Sequence, residues 1–168
     1  MGIYRHDEHW RTKLFINSDL PKLRVEDVDW AGASHPTPDL SCNCMGFALG
    51  LDEWWEPGIF KRGKKLNPYA TWPANCLEDE SIAAFASAAE SQGFSYCYNA
   101  EWENGFQKIV LYYKDGLFTH AARITAAGRM KSKLGEYSDI EHDADALDCE
   151  LYGDGRVYMK RSVASAAD

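Results

Sequence analysis

The sequence predicts an α+β domain, with helices early in the chain and antiparallel strands after them. Two observations carry this. Between Asp79-Glu80-Ser81 and Gly93, the apolar residues Ile82, Phe85, Ala86 and Ala89 recur at helical spacing. From Phe94 onward the periodicity becomes that of strands, and Asp115-Gly116 joins two apolar runs as a hairpin turn does.

Taken in order, residues 1–40 read as an irregular extension that wraps the domain, because Pro21, Pro36 and Pro38 interrupt any long helix. Ser41 or Asn43 can cap a helix running from about Cys44 to Leu51. Trp54 and Trp55 follow, then the basic run Lys61-Arg62-Gly63-Lys64-Lys65 and a Pro/Tyr/Trp stretch ending at Pro73. The clearest helix covers about 79–92, and Gly93 stops it. Strands are expected at 94–98, 106–113, 117–124, 129–134 and 157–160, with a short helix over 143–147. The domain body is 41–161, and the Ala/Ser tail 162–168 frays.

Composition narrows the function. At 168 residues, with 45% hydrophobic and 13% aromatic content, the chain can bury a core without disulfides or a structural metal. Lys plus Arg number 18 against 26 Asp plus Glu, a net charge of -8, which disfavours nucleic-acid or anionic-membrane partners. It leaves room for a basic protein partner. The N-terminus lacks the apolar core of a signal peptide, and no stretch approaches transmembrane length. Five scattered cysteines, an odd count, suit a reducing cytoplasm. Delivery by a machine that uses no cleaved signal is the other expectation.

No cofactor or metal is expected. Cys42-x-Cys44 lacks zinc-pair spacing, His6 and His9 read as a solvated face, and no phosphate-binding glycine loop is present.

The chemistry centres on Cys44 and His120. A cysteine at a helix start can be ionised by free N–H groups, and a strand histidine flanked by Ala121 and Ala122 lets that helix pack closely. The same N–H groups could hold an oxyanion, with Gly46 keeping the approach open. Each residue alone reads as core, a buried thiol or a satisfied imidazole. Together they read as nucleophile and base.

The string Asn43-Cys44-x-x-Phe47-Ala48-Leu49-Gly50 precedes Trp54-Trp55 and His120-Ala121-Ala122-Arg123. With Ser132-Lys133-Leu134-Gly135 and Asp139-Ile140-Glu141-His142, this resembles an uncharacterised bacterial family related to papain-like cysteine hydrolases of the NlpC and CHAP type. The resemblance runs from about residue 40 to Arg161. It implies a papain-like fold, with N-terminal helices packed on an antiparallel sheet, and hydrolysis of a peptide or other amide substrate by Cys44 and His120. Relatives keep a polar third residue on the strand after the histidine, where this chain offers Lys131, Ser132 and Lys133. Asp139, a carboxylate in the matching motif, is the candidate orienting group, or else a cap. Asn43, Trp54, Trp55, Ser132 and His142 are the candidate substrate-binding residues; the tryptophans line a groove or pack the core, and His142 is structural or substrate-facing. The contrasting expectation is a non-catalytic, acidic interaction module of immunity type on the same fold.

Overall fold

The computed structural model describes residues 10–24, 40–57, 70–135 and 137–163. Three helices, α1 (Trp10–Asp19), α2 (Cys44–Ala48) and α3 (Ile82–Glu90), precede six strands. These are β1 (Ser95–Cys97), β2 (Phe106–Lys114), β3 (Leu117–Ile124), β4 (Met130–Lys133), β5 (Asp139–His142) and β6 (Gly155–Ser162). They form one antiparallel sheet in the order β1-β6-β2-β3-β4-β5. The chain is therefore α+β, as expected. His6, His9 and the basic run 61–65 lie outside the described residues.

Side chains on a strand alternate between faces, and β2 shows how this sheet uses both. Ile109 and Leu111 join α2 and α3 in one core, with Met45, Ala48, Phe85 and Ala89. Val110 and Tyr112 join Ile16 of α1 and Leu20, just past its end, in the other. Both faces are covered, so the middle of β2 reads as one continuous apolar run.

The β2–β3 hairpin follows from its turn. Asp115 and Gly116 both have positive φ, 52° and 77°, the backbone a two-residue hairpin loop needs and glycine adopts without strain. One residue before His120, Thr119 is an extra residue on β3: Tyr112 pairs with His120 and Tyr113 with Phe118. α3 begins at Ser81, whose hydroxyl accepts from the Ala84 N–H at 3.1 Å.

Three expectations are corrected. Residues 10–19, read as part of an irregular extension, form a helix with Thr12 and Ile16 fully buried, as is Leu20 just after it. Thr12 exchanges hydrogen bonds of 3.0 and 3.1 Å with the Ser138 backbone and hydroxyl. Residues 144–147 form turns, not a helix, and Asp139–His142 is an additional strand.

Candidate functional site

α2 is only five residues long, too short to be stable alone, and tertiary bonds hold it at both ends. At its start the Asn43 carboxamide accepts from Gly46 N–H (3.1 Å) and Trp55 N–H (3.0 Å) and donates to the Trp55 carbonyl (2.8 Å). Asn43 is thus the cap and also the clamp to the Trp55 segment. At its other end, side chains from three strands meet the carbonyls that a helix terminus leaves unpaired. Arg123 donates to the Phe47 carbonyl at 2.6 Å, Gln107 to that of Ala48 at 3.4 Å, and Arg161 to that of Leu49 at 3.0 Å.

This clamp corrects the expected role of Gly46. A Cβ there would lie on the Glu53 carbonyl and 3.3 Å from the Trp55 ring, so the glycine permits close packing and does not serve to open the approach to Cys44.

Cys44 stands at the first position of α2, 8% exposed. β4 pairs with β3 only at Arg123 and Ile124, which leaves the β3 edge near Ala121 to α2. There the backbone N–H groups of Ala121, Met45 and Cys44 itself favour the thiolate, and so does the charge of Lys133. Burial outweighs them and pushes the thiol up to about 11. The expected lowering at a helix start is not the net result, because five residues make a small dipole and the sulfur is out of water.

His120 is 1% exposed and shares the α1 side of the sheet with its cross-strand partner Tyr112. Its ring stacks on Tyr152, with centroids 4.5 Å apart and planes 14° from parallel. Thr119, the extra residue of β3, pins Tyr152 by donating to its backbone carbonyl at 2.6 Å. Burial, then the charges of His142 and Arg156, drives the imidazole well below its ordinary range. His120 Nε2 has no hydrogen-bond partner among the described residues. Tyr152 links the two expected residues, since its phenol, raised by burial, also feels Cys44. Among the described residues, Cys44 and His120 are thus linked only through Tyr152 and the Ala121 backbone. Both are neutral near pH 7, neither is among the groups whose charge shifts the other, and the unpartnered His120 Nε2 takes no bond from the thiol.

The remaining candidates separate. Asp139 lies within β5, 4% exposed, directly across from Lys133, and the Arg123 guanidinium feels its charge. It is a buried strand residue. Asp139→Asn is accordingly expected to lower the thermal midpoint and not selectively to slow turnover; an unchanged midpoint would restore the orienting role. Ser132 and His142 are fully buried on each other: Ser132 Oγ is 2.8 Å from His142 Nε2, and His142 Nδ1 is 2.9 Å from the Asp143 carbonyl. Only a donor at Nδ1 suits a carbonyl, so Nε2 accepts from the serine. Neither residue is in the wall of the cavity that the tryptophans line.

Asn43, Trp54 and Trp55 do line one. A cavity of about 430 Å³ has Asn43, the residue before Cys44, and Thr119, the residue before His120, in its wall. Sequence reasoning missed Tyr152, and it weighed Lys133 only as a third polar residue, not as a charge that favours the thiolate. A tyrosine in the loop before the last strand carries no local signal of a site.

The fold and these residues define a class: a small α+β domain in which a buried cysteine and a buried histidine each follow a residue of one aromatic cavity wall. The chain belongs to the family described as "Domain of unknown function (DUF7689)", which matches residues 35–160. No curated protein and no solved structure matches it. Among the described residues, no helix is long and apolar enough to cross a membrane, and no group of three or more His, Cys, Asp or Glu could hold a metal ion.

Proposed function

We propose that the protein is a papain-like cysteine hydrolase of the NlpC and CHAP type, acting on an amide bond as peptidase, amidase or deamidase. The observation that carries this reading is the cavity whose wall includes the residue before Cys44 and the residue before His120. A substrate seated there lies beside both segments.

In this mechanism Cys44 Sγ attacks the amide carbonyl carbon while its proton passes to the neutral His120 imidazole. His120 then delivers that proton to the leaving nitrogen as the C–N bond breaks. Water hydrolyses the resulting thioester and restores the thiol. Because both groups rest neutral, the nucleophile forms only as the substrate arrives, with no standing thiolate–imidazolium pair. The Gly46 amide is committed to Asn43, so the amides of Cys44 and Met45 are the first-turn groups available to a developing charge. Tyr152, by stacking, holds the imidazole plane.

One observation favours the second reading, a non-catalytic interaction module: the thiol at about 11 is the state of an ordinary buried cysteine. Burial makes the test two-sided. With iodoacetamide near pH 7, a merely structural Cys44 should react more slowly than the half-buried Cys76, Cys97 and Cys149. A nucleophile assisted by His120 should react fastest of the five, and His120→Ala should abolish that advantage. Cys44→Ala should also remove amide turnover while keeping cooperative unfolding. Cys44 labelling last, with or without His120, would overturn the hydrolase reading.

A further inference from the structure

β3 changes faces at Thr119. Residues two apart on a regular strand share a face, so Phe118 and His120 would ordinarily point the same way. The extra residue breaks that pattern. Phe118 lies on the α3 side, stacked on Phe85 with centroids 3.7 Å apart. His120 lies on the α1 side beside Tyr112, with centroids 5.5 Å apart. Thr119 serves both sides. It stands in the wall of the cavity, while its hydroxyl donates at 2.6 Å to the carbonyl of Tyr152, a member of the α1-side core.

That bond matters because Tyr152 sits in a turn before β6 and in no regular element. Its N–H donates to Cys149 Sγ at 3.4 Å, a contact inside the same turn, and the Thr119 hydroxyl ties its backbone to the sheet. The imidazole depends on the tyrosine in its turn. His120 Nε2 has no hydrogen-bond partner among the described residues, so at that nitrogen the plane of the ring is set by the Tyr152 stack. His142, opposite Met130 on the same side of the sheet, differs: Ser132 and the Asp143 carbonyl hold its two nitrogens. We propose that Thr119 is the positioning residue of His120: acting through Tyr152, its hydroxyl fixes the plane in which the imidazole takes the Cys44 proton. The proton step rests on the hydrolase reading. The control of the ring stands on the bulge and the stack alone.

The test reads the ring directly. In full-length protein with histidine isotopically labelled at Cε1, the ring current of the stacked phenol displaces the His120 Hε1 resonance, and Tyr152→Leu gives its unstacked position. Thr119→Val keeps the side-chain shape and loses the donor; Thr119→Ser keeps the donor. Thr119→Val should carry the His120 resonance most of the way to the unstacked position and leave that of His142 unmoved. It should also slow iodoacetamide labelling of Cys44 about tenfold, the worth of one such bond. Thr119→Ser should return both readings to those of the parent. A His120 resonance unmoved by Thr119→Val, equal displacement in Thr119→Ser, or displacement of both histidines together would each overturn the proposal. So would a Cys44 that is reactive in the parent and no slower in Thr119→Val. The hydrolase reading is judged separately, by whether the parent's Cys44 labels first of the five cysteines. A His120 shift beside an unreactive parental Cys44 would keep the positioning role and remove the hydrolase.

Discussion

Replacing Gly46 by alanine should cost the protein about 3 kcal/mol of stability, the upper end of what overpacking does in a close-packed interior. The added methyl would meet a backbone carbonyl, that of Glu53, and not the far end of a flexible side chain. That carbonyl belongs to a segment already fixed: Asn43 N–H donates to Glu53 at 3.4 Å, and the Asn43 side chain binds both backbone groups of Trp55. Neither α2 nor the 53–55 segment can therefore retreat without breaking the clamp. Against a total stability of roughly 5–15 kcal/mol, such a loss is severe. Urea denaturation would measure it. A midpoint equal to that of the parent would show that the clamp yields.

Mild acid should destabilise the protein well before its carboxylates protonate. Burial holds His142 at about 4, its largest cause being desolvation, and holds His120 well below its ordinary value for the same reason. In the unfolded chain both titrate near 6.5, so between those limits the unfolded state binds protons that the folded state refuses. Stability is complete above about pH 6.5 and falls as the pH drops toward 4. Each histidine adds a slope of up to about 1.4 kcal/mol per pH unit, and His142 alone accounts for about 3 kcal/mol across its window. Glu103, held below the usual carboxylate range by hydrogen bonds from Lys108 and Lys160, adds its own loss only below about 4.5. The stretch from 6.5 to 5 thus belongs to the histidines. Denaturation midpoints over this range should show a slope near two protons, reduced to one in His142→Gln. A flat profile would mean that the imidazoles protonate in place.

What could be read from the sequence was whatever is encoded locally. The 117–124 strand, its Asp115-Gly116 turn and the helix capped by Ser81 emerged with their positions nearly intact, since turn chemistry and short-range periodicity determine them. α1 did not. Its buried stripe, Thr12–Ile16–Leu20, begins with a hydroxyl whose partner Ser138 is 126 residues away, while the more conspicuous Leu14 faces solvent, 56% exposed. β5 failed for a related reason. Asp139-Ile140-Glu141-His142 looks like a polar loop until Lys133 and Ser132 on the neighbouring strand give its aspartate and histidine polar surroundings. At the site, Cys44 and His120 were legible because their residue types carry chemistry. The stacking of Tyr152 was not, because stacking is decided by tertiary contact.

The interior position of β6 sets an order on how the molecule comes into being. Between β1 and β2 lies the strand made last, and its Arg161 closes off a helix made 112 residues earlier. During synthesis, residues 44–48 wait on the ribosome with their carbonyls uncapped on that side, and β1 has no neighbour to pair with until residues 155–162 emerge. The clamp on α2 is consequently completed only once residues 155–162 have been made. A nascent chain halted before β6 would carry every residue implicated in the proposed chemistry, Tyr152 included, and still lack the Arg161 contact that caps α2.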